Sequence, residues 1–242
     1  MRRSLVLQRG AKGYGWWNKF QQQGAERFRQ RYTPPTPFDW LKKEDTLSRP
    51  HAFFDIRIEH EKLGRIKFEL ASDVVPKTVE NFKALCLGTG IKVGGYKGSK
   101  IHYVQKGTCV MGGDVETPTC SGTGNHSAGV ARYITDENYI IPHTSRGLLS
   151  MASIGVHTNG SQFYLSLSPM KHLNGRCVVF GRMVEGEEAL QVIEKVFTFR
   201  GSPAREIVIE NCGIIDEQGK ELVSKEVIRT VPVVAEPLLE VA

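Results

Sequence analysis

The chain has 242 residues, 40% of them hydrophobic and 24% charged, the balance of an ordinary globular protein. No run approaches the roughly 18 consecutive apolar residues that a membrane-crossing helix needs, so no membrane span is expected. The net charge of +6 is unevenly placed: residues 1–32 hold eight Lys and Arg against the single acid Glu26, a net of +7, which leaves the remainder at −1.

Residues 1–50 read as an extension. Its first part is basic and aromatic, with Tyr14, Trp16, Trp17 and Phe20 beside Arg27, Arg29 and Arg31. The stretch Gln21–Arg31 has the spacing of a short helix, which Pro34, Pro35 and Pro37 would stop. Ser4–Leu7, after Arg2 and Arg3, is too short for the apolar region of a secretory signal. The domain proper is expected over 51–216. Phe53–Glu59 and Gly64–Leu70 alternate like a hairpin, and Pro76–Leu87 reads as a helix with Pro in its first turn. Short strands follow at Ile101–Gln105, Val110–Gly113, Gly147–Ala152, Phe163–Leu167 and Val178–Val184. A second helix fits Glu187–Val196, and Arg205–Ile215 closes the series. Residues 217–242 form a tail in which Val227–Val234 alternates enough to add a strand to some partner, though Pro232 and Pro237 favour a loose terminus. Many short strands with two helices predict a mainly β fold, a closed antiparallel barrel without exposed edges.

Cys86, Cys109, Cys120, Cys177 and Cys212 are scattered without paired spacing, which argues against a disulfide framework and for a reducing compartment. The Gly-containing run from Arg9 to Trp16 lacks the strand and helix of a phosphate loop, so nucleotide binding is not expected. His60, His126, His143 and His157 fall in predicted turns and read as surface residues.

The segment Met151–Tyr164, M-A-S-I-G-V-H-T-N-G-S-Q-F-Y, resembles the signature of the cyclophilins, a family of peptidyl-prolyl isomerases. F-F-D-I at Phe53–Ile56, V-P-K-T-V-E-N-F at Val75–Phe82, Y-K-G-S at Tyr96–Ser99, G-G-D at Gly112–Asp114 and V-V-F-G at Val178–Gly181 follow in the family's order. The resemblance implies a closed eight-stranded antiparallel barrel capped by two helices, with no cofactor and no metal. It also implies a site in which an arginine donates a charged hydrogen bond near the prolyl nitrogen while apolar side chains cup the ring. Catalysis there is placement and electrostatics against a torsional barrier of about 18–20 kcal/mol.

The same resemblance places Tyr103 where the family has that arginine, one residue after His102. Tyrosine offers one neutral donor instead of a charged fork. Losing a positioned transition-state donor costs about 2.7–4 kcal/mol. Thr108 and Cys109 stand where Phe and Met line the ring pocket, and Met111 where a glutamine holds the substrate. Ala152, Ser153 and Ile154 replace the segment that receives the substrate backbone. His172 replaces a rim tryptophan and Cys177 the pocket histidine. Gln162, Leu173 and Ala152 persist, and Tyr164 replaces a phenylalanine. No catalytic set is therefore expected intact; Ala152, Ser153, Ile154, Gln162 and Leu173 would be a substrate-binding remnant.

Cys109, Met111, His172 and Cys177 would face the former pocket, but their spacing matches no metal motif, and packing as small hydrophobes is the expectation. The basic extension reads as a mitochondrial presequence, as an arm stacking on RNA, or as a protein-docking arm, and these readings can coexist. The expectation is a cyclophilin-like protein without isomerase activity. It would be a structural subunit of a large assembly, mitochondrial, with protein subunits or RNA as partners and no small-molecule substrate. The alternatives are an active isomerase using Tyr103 beside Gln162, a module that holds prolyl peptides without turning them over, and a cytosolic, ciliary or nuclear particle as the setting.

Overall fold

The computed structural model describes residues 38–40, 49–117, 119–216 and 219–223. In chain order the strands are β1 (His51–Ile58), β2 (Glu61–Leu70), β3 (Ile101–Gln105), β4 (Cys109–Gly112), β5 (Leu148–Met151), β6 (Phe163–Ser166), β7 (Val179–Glu185), β8 (Thr198–Phe199), β9 (Ser202–Pro203), β10 (Ile207–Ile215) and β11 (Glu221–Val223). Helix α1 (Pro76–Leu87) lies between β2 and β3, helix α2 (Glu187–Lys195) between β7 and β8, and a 3-10 turn covers Lys171–Leu173. Nine strands form one antiparallel sheet in the order β11-β10-β1-β2-β7-β5-β6-β4-β3, while β8 and β9 pair as a separate hairpin.

The sheet curls strongly. The chain entering β3 meets β10 through one isolated bridge, Lys100 with Val208, flanked by Gly98 N–H to Ile209 O at 2.7 Å and Ile209 N–H to Ser99 O at 2.9 Å. The architecture is thus a curled nine-stranded half-barrel with two helices; eight strands in full closure go further than this ladder.

The concave face holds the main core. Phe54, Phe82, Tyr96 and Phe163 form an aromatic cluster with centroids 5.2–6.2 Å apart, extended by Phe68 and Phe180. Helix α1 drives Val79, Phe82, Leu85 and Cys86 into it. Pro76 starts that helix, the Glu137 carboxylate accepts from Lys77 N (3.2 Å) and Thr78 N (3.0 Å), and Gly88 at φ 67° ends it. A carboxylate there satisfies orphan N–H groups and complements the helix dipole.

Ordered contacts continue on both sides of 51–216. Arg49 is buried, forks onto Asp73 at 2.8 and 2.7 Å, donates to Trp40 O at 3.0 Å, and lies against the rings of Phe38 and Trp40. Beyond Asp216, whose carbonyl accepts from Gly219 N at 3.0 Å, Glu221–Val223 pairs with β10, so part of the expected loose tail is a strand. Its Glu221 meets Arg65, which also holds Asp55 and stacks 3.9 Å over Phe53. Val227–Val234, the tail segment expected to alternate, lies outside the described residues.

Candidate functional site

Alternation along three neighbouring strands sends side chains to two different places. Val104, Val110, Phe163 and Leu165 join the main core, while Tyr103, Cys109, Met111 and Tyr164 join a second buried cluster with Ala152, Met170, Leu173 and Cys177. The strand register makes the second set contiguous, since Tyr103 pairs with Met111 and Met111 with Tyr164. Leu173 arrives from the 3-10 turn, and the chain returning from it supplies Cys177. Every member of this cluster is at most 9% exposed.

Tyr103 is its outermost member. The phenol donates to Gln105 Oε1 at 3.2 Å, and the ring is covered by Gly201: a β-carbon there would lie 2.0 Å from Tyr103 Cε2. Burial, and then the neighbouring Cys109, pushes its pKa up, so it is a neutral phenol throughout the physiological range. Thr108 is half-buried in the turn between β3 and β4, where its carbonyl accepts from Leu167 N at 2.9 Å. Burial pushes the Cys109 thiol to about 12, with Cys177 nearby adding to it. The Cys177 thiol is likewise pushed up to about 12 by burial, against hydrogen bonds to Ser153 that act in the opposite direction. Both are thiols near neutral pH, and a thiol is neither the nucleophile nor the metal ligand. Among the described residues no three His, Cys, Asp or Glu side chains converge as a metal site.

Gln162 is buried, and its amide donates to Gly122 O at 2.9 Å and Gly124 O at 2.6 Å. The loop it holds is organised by Asp114, whose carboxylate collects the N–H groups of Thr117, Gly122, Thr123 and Gly124 within 3.2 Å. His102 underlies this loop. Gly122, at φ 86°, lies so close that a β-carbon would come within 2.5 Å of the imidazole. Burial lowers the His102 pKa to about 4, against the opposing pull of Asp114.

Not every expected position converges. His172 is exposed on the 3-10 turn and is no member of the cluster, while Ser153 is buried and Ile154 is 49% exposed. Two of the four histidines expected at the surface are interior. His126 is buried with Nδ1 2.8 Å from Ser127 O, and His143 has no exposed surface, its Nε2 2.9 Å from Ser150 Oγ and its Nδ1 3.2 Å from Asn174 Oδ1. The polar turn composition around them hid this, because the loops are held inward by such hydrogen bonds. Sequence reasoning also missed Met170, which has no periodic signal, and Gly201, whose signal was the Arg-Gly turn dipeptide. Tyr14, Trp16, Trp17, Phe20, Arg27, Arg29 and Arg31 lie outside the described residues.

Among the described residues no helix is long and apolar enough to cross a membrane. The family model for cyclophilin type peptidyl-prolyl cis-trans isomerase/CLD matches residues 53–214, and the chain belongs to that family.

Proposed function

We propose that this cyclophilin-family protein does not isomerise prolyl bonds and serves as a non-catalytic subunit of a larger assembly. One observation carries the reading: the residues at the former pocket positions pack against each other as a closed apolar cluster. A catalyst of this class needs a cation beside the amide nitrogen and an open apolar cup for the ring. Tyr103 stands at the arginine position, donates to Gln105 and lies under Gly201. Gln162 is committed to the loop at 122–124. We also read the Lys100–Val208 bridge as the seam of a closed barrel.

The basic, aromatic composition of the extension, residues 1–50, supports a docking arm with protein or RNA as its partner, and a mitochondrial setting. A second reading, a module that holds prolyl segments without turning them over, draws on Ile154 and Val156, 49% and 62% exposed on the loop after Ala152.

Cyclosporin, a cyclic peptide that cyclophilins bind through this pocket, tests the main reading by calorimetric titration of the full chain. No heat beyond dilution is expected at micromolar protein. Stoichiometric submicromolar binding would show an open cup and contradict the proposal.

A further inference from the structure

The hairpin of β8 and β9 is built inside out. Thr198 pairs with Pro203 and Phe199 with Ser202, and Ala204 N–H reaches Phe197 O at 2.8 Å, so the ladder runs one pair further. Arg200 at φ 51° and Gly201 at φ 85° form the two-residue turn, the double positive φ that fits the twist of a tight hairpin. Side chains alternate across such a ladder. Thr198, Gly201 and Pro203 are half-buried, with Gly201 flat on the Tyr103 ring and its carbonyl accepting from Val104 N at 2.8 Å. The opposite face carries Phe197 and Phe199, 74% and 68% exposed, opposite the small side chains of Ala204 and Ser202, which cannot cover them. Among the exposed large hydrophobics of the described residues, these are the only aromatic ones.

The flanking charges narrow what fits. Arg200 lies 5.3 Å from the Phe199 ring centroid, Lys195 is exposed at the end of α2, and neither has an ion-pair partner among the described residues. Other charges nearby are already satisfied: Glu194 by Arg146 at 2.8 Å, Arg205 by Glu59 at 3.1 Å, and Lys100 by Glu206. Acids therefore interleave with the bases, Glu194 facing both Arg146 and Lys106, and these acids interrupt any cationic track past the rings. Single-stranded nucleic acid needs such a track beside its stacking platform. A convex pair of rings flanked by two unsatisfied cations instead suits a protein groove.

We propose that this hairpin is a docking element, its Phe197 and Phe199 seated in an apolar groove of a partner protein whose rim carries carboxylates facing Arg200 and Lys195. The site does not depend on whether the former pocket turns over substrate. Tyr103 serves it from beneath, as the flat support on which the turn rests.

The test places photoreactive p-benzoylphenylalanine at position 199 of the full chain, in cells that naturally make the protein. The expected product is a crosslink to one protein, at an apolar segment with Asp or Glu within a few residues. Its yield should fall about tenfold or more on adding Phe197→Ser, and also on adding Arg200→Glu. Because these side chains are exposed, both variants should melt within a few degrees of the parent. A crosslink to nucleic acid, to a second copy of this chain, or to a segment without acidic neighbours overturns the proposal, as does a yield insensitive to either substitution. Prolyl turnover measured on the same preparations reports on the pocket alone, so failure of one idea is distinguishable from failure of the other.

Discussion

Tyr103 carries most of the functional argument at the scale of single residues. The position reads directly from the chain because His102 precedes it and G-G-D follows at Gly112–Asp114. What the chain does not display is the covering by Gly201, almost a hundred residues later, or the turn of the phenol toward Gln105. Tyr103→Arg should therefore leave prolyl turnover at background, since Thr108, Cys109 and Met111 still deny the ring its cup and Gly201 crowds the new guanidinium; full rescue would refute this account. The two deeply buried imidazoles give a second expectation. His102 and His143 both have folded pKa values lowered to about 4, chiefly by burial, against about 6.5 in an unfolded chain. Between those values the unfolded state binds protons that the folded state refuses, so stability is full above about pH 6.5 and declines as pH falls toward 4. Each imidazole contributes up to about 3 kcal/mol to that decline. His143→Gln should flatten the urea-denaturation profile across this window by roughly half; an unchanged slope would mean that His143 protonates freely in the fold.

Among the elements, those with strong local signals were legible and those made by partners were not. Helix α1 has Pro at its start, Gly after its end and one apolar face, and it lies where the sequence places it. The hairpin of β1 and β2 alternates clearly, and β3 falls on the predicted residues. By contrast, β11 is a three-residue exposed edge strand, Glu-Leu-Val, that pairs with β10 and whose Glu221 meets Arg65. No hydrophobic period announces such an edge. The Arg49 anchor is of the same kind. A lone arginine before a proline has no motif, yet it is buried beside two touching aromatic rings and forked onto Asp73. Removing one partner of a buried pair leaves the other uncompensated and costs about 3–5 kcal/mol. Arg49→Ala should lower the unfolding free energy by that order in urea melts, while Lys62→Ala, a change on an exposed part of β2, should cost well under about 1 kcal/mol. Equal small effects would show that the segment before β1 adds nothing to the fold.

Taken as a whole, the molecule belongs to the cyclophilin family over residues 53–214 and carries two separate buried clusters, the second of which is the basis of the proposed loss of activity. The concave side retains its aromatic cluster, helix α1 and the Asp114-organised loop. The convex side has Cys109, Met111, Tyr164, Met170, Leu173 and Cys177 packed on each other under Tyr103. The sequence names the residue types at these positions; whether they leave a cavity or fill it depends on packing across separate segments, and no local pattern encodes that. On the proposed reading this face does not stabilise a twisted amide, and uncatalysed X–Pro exchange takes tens to hundreds of seconds at 25 °C. The most direct measurement is NMR exchange spectroscopy on a proline-containing peptide with catalytic amounts of the full unmodified chain. The account predicts cis and trans resonances that exchange no faster than in buffer. Exchange brought into the range of tens per second or faster would contradict it.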